Sequence, residues 1–295
     1  MAMSNSVALE PPDVTRAAGH VDVNSLQVVP VRHWGRMISA AVLIAIVAFC
    51  VYGFVVNPNI EWSVVGDFLL DGGVLKGLLL TLEMTVLGVG IAVILAVVIG
   101  VMRISESRIL SGFASIWIFF FRGIPLVVLL IFVGNLGLFV NTVSIANPFG
   151  TAPLVSFQVQ QVVTPFVASV IALALTGSGY MAEIVRAGLL SVGVGQHEAA
   201  KALGVNGGKT LRYIVLPQAL RIIIPPLGNE LIGGLKASAI VSVIAGGDLM
   251  TAVLGISGVN FRTIEMLIVA TIWYLLVIIL LSIGQYFLER RAATK

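Results

Sequence analysis

Charged residues are scarce in this 295-residue chain: Asp, Glu, Lys and Arg make up 11% of it, whereas apolar residues make up 58%. An ordinary soluble domain has about a quarter of its residues charged. So few charges argue strongly against a soluble globule, and the composition excludes a disordered, collagenous or nucleic-acid-binding chain. The mean hydropathy of +1.07 is typical of a polytopic membrane protein.

Cysteine and histidine are also rare. The single cysteine, Cys50, lies in an apolar stretch and can form neither an intrachain disulfide nor a cysteine-based metal site. The three histidines are scattered, and the sequence contains no recognisable metal cluster or nucleophile–base pair. We therefore predict that the chain is not an enzyme, binds no metal and has no cofactor of its own.

Long apolar stretches are what the sequence does contain. About 20 apolar residues cross the roughly 30 Å hydrocarbon core of a bilayer, and six stretches have that length. They cover residues 37–56, 74–101, 113–140, 162–185, 217–245 and 266–288. The predicted fold is all-α and polytopic, with about six transmembrane helices.

The region before the first span reads as a tail. Residues 1–36 carry proline, serine and acidic residues without periodicity, which predicts a disordered segment. This leader is too long for a signal peptide, and no small-residue cleavage site follows the first span, so we interpret 37–56 as a retained anchor.

Basic residues orient the chain in the membrane. With the N-terminus in the cytoplasm, the cytoplasmic segments hold most of the 17 Lys and Arg residues, whereas the outer loops hold only Arg262. Those cytoplasmic residues are Arg16, Arg32, Arg36, Arg103, Arg108, Arg186, Lys201, Lys209, Arg212, Arg221, Arg290, Arg291 and Lys295. The positive-inside rule therefore predicts that both termini are cytoplasmic.

The longest internal hydrophilic stretch runs from Gly195 to Arg221. Residues 198–203 favour a helix, which Gly204 is placed to end as a C-cap. Ala200 and Gly204 are four residues apart, so they predict a small face able to lie flat in a partner's groove. The run Gly207-Gly208-Lys209-Thr210 is similar to the end of a phosphate-binding loop. However, a leucine replaces the first glycine of that motif and no buried strand precedes it, so no ATP site is predicted.

Seven residues of this stretch fit the pattern E-A-A-x3-G-x9-I-x-L-P. They are Glu198, Ala199, Ala200, Gly204, Ile214, Leu216 and Pro217. The pattern resembles the EAA loop of ATP-binding-cassette importer permeases. Further stretches look like the polar amino-acid branch of that family: 77–100, 121–126, 180–184, 216–221 and 225–230 with the Leu-Lys pair at 235–236.

The resemblance implies a five-helix permease core over residues 74–290, with a cytoplasmic coupling loop at about 191–216. The span at 37–56 is then an additional N-terminal helix. The implied function is that of a transmembrane subunit of an ATP-driven amino-acid importer in the bacterial inner membrane. In such an importer the seven EAA-pattern residues couple the permease to a separate ATPase.

The resemblance also implies partners. Two ATPase subunits would bind ATP and Mg, and a second permease subunit, identical or homologous, would supply the second coupling helix. An extracytoplasmic substrate-binding protein would dock on the outer loops near 141–161 and 246–264. Departures from the family pattern at Ser238-Ala239 and at 177–180 leave the substrate open, and an opine, a peptide or another small polar molecule is an alternative to an amino acid.

Polar and ionisable side chains inside the spans are costly and are therefore candidates for a substrate path. We select Glu83, Ser178, Tyr180, Asn229, Glu230, Lys236 and Ser238. An amino acid has both charges, so a carboxylate and an ammonium group in the lining would suit it. The alternative is that these residues hold subunits together.

The fifth span predicts where the path runs. Pro225-Pro226 should kink it, and irregular backbone at membrane depth has to face protein or a watery cavity. We therefore place the path beside this span, with residues 176–180 of the fourth span as the opposite wall. Glu230 and Lys236 are six residues apart and point about 120° away from each other, so they pair only if Gly233-Gly234 breaks the helix.

Glu183 and Arg186, three residues apart, are predicted to pair locally.

A different functional class also remains open at this point. A self-sufficient, ion-coupled secondary transporter would leave the EAA pattern without a role. An integral membrane enzyme is excluded because the sequence lacks a catalytic constellation.

Overall fold

A computed structural model describes residues 34–145 and 155–293. The predicted tail therefore lies outside the described residues except at 34–36, which are already helical. The chain divides into two units, Met1–Pro58 and Asn59–Lys295. In the first unit, helix α1 covers Trp34–Val55, and none of its 22 residues is buried. Its length and apolar composition suit a membrane span.

The second unit is built from helices of very different lengths. The long ones are α3 (Gly72–Arg103), α4 (Arg108–Gly123), α8 (Pro165–Leu190), α11 (Leu216–Ala237) and α13 (Thr263–Ala293). The shorter ones are α2 (Trp62–Leu69), α5 (Leu126–Gly134), α6 (Leu136–Phe139), α7 (Val159–Val162), α9 (Val194–Ala202), α10 (Gly207–Thr210) and α12 (Leu249–Asn260). A π-helical turn, Leu211–Val215, precedes α11, and a 3₁₀ helix, Ser238–Ile244, follows it.

A short hairpin is an addition to the predicted all-α fold. Strands β1 (Thr142–Ile145) and β2 (Val155–Gln158) pair antiparallel, with Thr142 opposite Gln158. It lies within the predicted loop 141–161, whose central residues are outside the described ranges. The fold remains helical in character.

The pairing of α3 with α8 forms the centre of the second unit. Small residues let the two backbones approach: a Cβ atom at Gly88 would lie 2.9 Å from the Cβ of Leu173. A Cβ atom at Gly100 would lie 2.8 Å from Cγ1 of Val185. Such close glycine contacts are common between membrane helices, where dispersion rather than water exclusion drives packing.

The third predicted span, 113–140, is not one straight helix. Helices α4 and α5 are bent by 97° relative to each other. Ile124 between them is extended (φ −78°, ψ 130°), as expected for a residue before proline, and Pro125 is the N-cap of the next helix. The sequence prediction overlooked this break.

The fifth predicted span, 217–245, begins ten residues earlier than expected. One unbroken helical run, here called the long helix, extends over Gly207–Ile244. The Leu216 N–H donates to the Leu211 carbonyl, five residues back, and this wider turn carries the helix past Pro217. Pro225 and Pro226 lie inside α11 without ending it, and neither do Gly233 and Gly234.

The predicted outer loop near 246–264 is also largely helical. It contains α12, whose Leu249, Val253 and Ser257 are buried. Helix α2 packs on α13, and the Trp273 indole donates to the Leu69 carbonyl at 2.8 Å.

Candidate translocation site and coupling loop

A cavity of about 240 Å³ lies where α3, α5, α8 and α11 meet. Its polar lining comes from Thr85, Thr176, Tyr180 and Glu230, and the remainder is apolar or glycine. A water occupies about 30 Å³ of liquid, so the cavity has room for several waters or one small solute. The long helix forms one wall and α8 the other, as predicted.

Glu230 is the charged group of this cavity. Its side chain is half-buried, and within the described ranges it takes part in no ion pair. Because α11 continues through Gly233 and Gly234, the exposed Lys236 points elsewhere, and the predicted alternative of a broken helix does not occur. Arg122 attracts this carboxylate through space without forming an ion pair, and a carboxylate that has no ion pair beside a cavity can accept a cationic occupant.

Tyr180 stands between this cavity and a more open groove of about 490 Å³ that Arg103, Arg122 and Glu183 line. The Arg122 guanidinium carbon lies 5.3 Å from the Tyr180 ring centroid, a cation–π distance. Glu183 and Arg186 form the predicted local pair, with a nitrogen–oxygen distance of 2.5 Å.

Three further candidate residues make hydrogen bonds to other groups of the protein. Ser178 is buried; its hydroxyl accepts from the Trp117 indole at 3.0 Å and donates to the Leu175 carbonyl. The Asn229 side chain accepts from the Gln285 amide of α13 at 2.9 Å. Ser238 is buried and donates to the carbonyl three residues back.

Glu83 lies apart from the cavity. It is exposed and lines a shallow surface depression with Leu82, Val86 and Leu87 of its own helix. Of the seven predicted path residues, the structure brings only Tyr180 and Glu230 together at the cavity.

The prediction missed two polar contributors. Thr85 of α3 lines the cavity, and the Arg122 guanidinium lies over the Tyr180 ring. The sequence signal for Thr85 was its spacing of four from Thr81 and Val89, which places all three on one helical face. The Thr176 hydroxyl, on the predicted wall, is buried without a hydrogen-bond partner in the described structure.

The EAA stretch forms helix α9 with a defined end. The Gly204 N–H donates to the Lys201 carbonyl at 3.0 Å, and the Val205 N–H donates to the Ala200 carbonyl at 3.0 Å. These two bonds and the positive φ of +70° at Gly204 form a Schellman motif. The predicted C-cap role of Gly204 is therefore present.

The exposed face of α9 differs from the predicted one. Ala200 is 2% exposed and packs within the chain, whereas Glu198 and Ala199 are exposed and Leu203 is 80% exposed. Helix α9 begins at Val194, so Glu198 lies beyond the first turn and cannot cap it. A flat partner surface on this helix would therefore meet Ala199 and Leu203 rather than Ala200.

The remaining residues of the pattern lie on the long helix. Ile214 is half-buried in the π-helical turn, and Leu216 and Pro217 are exposed. The segment Leu211–Val215 contacts both α9 and α11, so the EAA stretch is joined directly to the helix that lines the cavity.

Comparison with known proteins identifies the family. The profile of the family described as "Binding-protein-dependent transport system inner membrane component" matches residues 88–294. This chain belongs to that family. The arginine transport system permease protein ArgU of Corynebacterium glutamicum is 37% identical to this permease over 262 residues, 88% of this chain and 81% of the relative. The arginine transport system permease protein ArtQ of Bacillus subtilis is 39% identical over 213 residues, 72% and 89% of the two chains.

Solved structures of transporters have a similar fold. A crystal structure of an amino acid ABC transporter with histidines has a TM-score of 0.63 and 36% identity, covering 74% of this permease and 94% of that chain. The MetNI methionine ABC transporter, with a TM-score of 0.60 and 19% identity over 74% and 95% of the two chains, shows the shared fold.

The predicted family and importer function are therefore confirmed. The permease is the transport component rather than the catalytic component of an ATP-binding-cassette importer and is a multi-pass protein of the bacterial inner membrane. The secondary-transporter alternative is not supported.

Proposed function

We propose that this permease forms the membrane pathway of an ATP-driven importer for a cationic amino acid of the arginine type. The observation that carries the proposal is the Glu230 carboxylate, which lines the cavity without an ion-pair partner in the described chain. A guanidinium or ammonium side chain would supply an ion-pair partner for this half-buried carboxylate. The arginine permeases among the relatives support the same class.

The long helix supports the proposed coupling. It begins inside the coupling loop, 191–216, and its later turns line the cavity, so one continuous helical run joins the loop to Glu230. The exposed residues of α9, with Gly204 ending that helix, form the proposed docking surface for an ATPase subunit. Rigid-body movement of such an element is a common route between two states of a protein.

The proposed assembly contains two ATPase subunits that bind ATP and Mg, a second permease subunit, identical or homologous, and an extracytoplasmic substrate-binding protein. The distribution of basic residues supports a cytoplasmic position of both termini. The proposed division of the chain has residues 1–36 as a tail, 37–56 as an added span and 74–290 as the permease domain.

Uptake by proteoliposomes tests this function. The permease is reconstituted with its ATPase and binding protein, and uptake of radiolabelled L-arginine, L-glutamine and L-glutamate is compared with and without internal ATP. We expect ATP-dependent uptake of arginine that exceeds that of the other two. Uptake that persists without ATP, driven by an ion gradient, would contradict the proposal.

Two variants sharpen the test. Glu230→Gln removes the charge at nearly constant volume and should lower arginine uptake by about tenfold, which corresponds to a loss of about 1.4 kcal/mol of binding free energy. Glu83→Gln is the matched control: it removes an equivalent charge outside the cavity and should leave uptake unchanged. Equal losses in both variants would show that the cavity does not select the cation.

A further inference from the structure

The long helix ends in an unusual turn. Its last seven residues, Ser238–Ile244, form a 3₁₀ helix. Two residues that follow, Ala245 and Gly247, have left-handed backbones with φ of 52° and 84°. This conformation costs an L-residue such as alanine about 1–2 kcal/mol, and such strain persists only where the surroundings impose it. We call residues 245–247 the distal turn, because it lies at the opposite end of the long helix from the coupling loop.

The centre of the distal turn has no room for a side chain. A Cβ atom at Gly246 would lie 2.1 Å from Cγ1 of Val241 and 3.0 Å from the Ser169 hydroxyl of α8. The long helix therefore ends here in a tightly packed turn with two left-handed residues, and α12 begins after Asp248.

Beyond the turn, α12 is fastened to α3. The Asp248 carboxylate caps α12 by accepting from the Met250 N–H at 3.1 Å and from the Thr251 hydroxyl and N–H. The Leu249 N–H donates to the Thr81 hydroxyl of α3 at 2.8 Å. All of this lies out of water: Thr81, Asp248 and Leu249 are fully buried. Separating α12 from α3 during transport would break the Leu249–Thr81 bond and leave a buried N–H group unsatisfied, which is costly.

Close packing reinforces the attachment. A Cβ atom at Gly77 of α3 would lie 2.9 Å from the Cβ of Ala252 and 3.1 Å from Cα of Leu249. Helix α3 packs in turn along α8 for most of its length. We therefore expect α12 to move together with the packed pair of helices α3 and α8, although it follows the long helix in sequence.

We propose that the distal turn, Ala245–Gly247, is the pivot of the transport cycle, about which the long helix swings while α12 stays fixed to α3. This inference rests on the proposed coupling of the long helix to an ATPase. Movement is largest near the coupling loop and vanishes at Asp248, so the surface beyond α12 stays still while the cavity changes shape.

Two disulfides test the pivot in a Cys50→Ser background that lacks other cysteines. The pair Gly77→Cys and Ala252→Cys joins α12 to α3. The pair Gly188→Cys and Ile223→Cys joins α8 to the long helix. These positions are in contact, since a Cβ atom at Gly188 would lie 2.2 Å from Cγ1 of Ile223. At 1.5 Å per residue, Ile223 is about 33 Å along the helix from the pivot. Each reduced variant is its own control for folding and assembly.

We expect oxidation of the 77–252 pair to leave ATP-dependent arginine uptake unchanged. Oxidation of the 188–223 pair should abolish uptake, and dithiothreitol should restore it. Loss of uptake on oxidising the first pair, or full uptake after oxidising the second, overturns the pivot. Absence of ATP-dependent uptake in the wild type and in both reduced variants contradicts the proposed function instead.

Single glycine variants test the same idea if a cysteine pair does not assemble. Gly247→Ala places a side chain on a left-handed backbone, and the resulting strain should shift the balance between states by about 5- to 30-fold. Gly255→Ala in α12 is the matched control, since no atom lies within 4 Å of its added Cβ. An ATP-dependent uptake rate for Gly247→Ala equal to that of Gly255→Ala, at equal membrane abundance, refutes the pivot.

Discussion

The end of helix α9 makes a quantitative prediction about coupling. Gly204 has a φ of +70°, and no atom of the described residues lies within 4 Å of a Cβ added there. Gly204→Ala therefore introduces backbone strain without any clash inside the permease. All of the resulting effect comes from the cost of a left-handed alanine or from contact with a partner.

The strain has a known size. An L-residue in the left-handed helical conformation costs about 1–2 kcal/mol, which is a factor of about 5 to 30 in an equilibrium. If α9 docks on an ATPase only with its Schellman motif intact, Gly204→Ala should weaken that association by this factor. A much larger loss would show that the partner surface lies against Gly204 itself.

The assay combines association with uptake. The affinity of tagged permease for its purified ATPase is measured in detergent by titration, and arginine uptake is followed in proteoliposomes. Gly204→Asn is the first control, because asparagine tolerates this conformation and should recover most of the affinity. Gly207→Ala is the second, because this helical glycine also has open space around it.

The reasoning fails if Gly204→Ala binds the ATPase as tightly as the wild type. It also fails if Gly207→Ala is impaired to the same degree, since the defect would then reflect the loop in general rather than the left-handed residue.

Three further predictions concern stability in detergent, measured by thermal unfolding. Asp71→Ala removes the side-chain cap of α3 and should cost about 1 kcal/mol, whereas Asp71→Asn should retain most of it. Gly188→Ala should destabilise the protein through its clash with Ile223, and adding Ile223→Ala should restore part of the loss. Trp273→Phe should lower stability by about 1 kcal/mol because the Leu69 carbonyl loses its donor, and an unchanged midpoint would contradict this.

The sequence was sufficient for features that depend on local composition. Apolar length located the spans, and the C-cap at Gly204 followed from the identity of one residue. The pairing of Glu183 with Arg186 followed from helical spacing. Each of these needs no knowledge of what lies elsewhere in the chain.

The sequence prediction was wrong where the effect of a proline on a helix depends on its surroundings. Pro125 and the Pro225-Pro226 pair are both prolines in apolar surroundings, yet the first marks a 97° bend and the second lies inside an unbroken helix. Helix α13 contacts the second site, where the Gln285 amide donates to the Pro225 carbonyl and to the Asn229 side chain.

Contacts between residues that are distant in sequence could not be predicted from local patterns. The bond from Leu249 to Thr81 joins residues 168 positions apart. Burial of Ala200 likewise depends on how α9 folds back against Leu211–Val215, and the spacing of Ala200 and Gly204 alone favoured exposure. Periodicity identifies a helical face but does not identify what that face meets.

With the distal turn as its proposed pivot, the long helix would act as a lever whose arm lengths follow from residue numbers. From the distal turn, Glu230 is about two-fifths as far away as Gly207, at 1.5 Å per residue. A stroke applied at Gly207 therefore reaches the carboxylate reduced to about two-fifths of its length and, in an ideal lever, with proportionately greater force. The geometry trades distance for force, which suits the small displacement needed to detach a solute from a charged group.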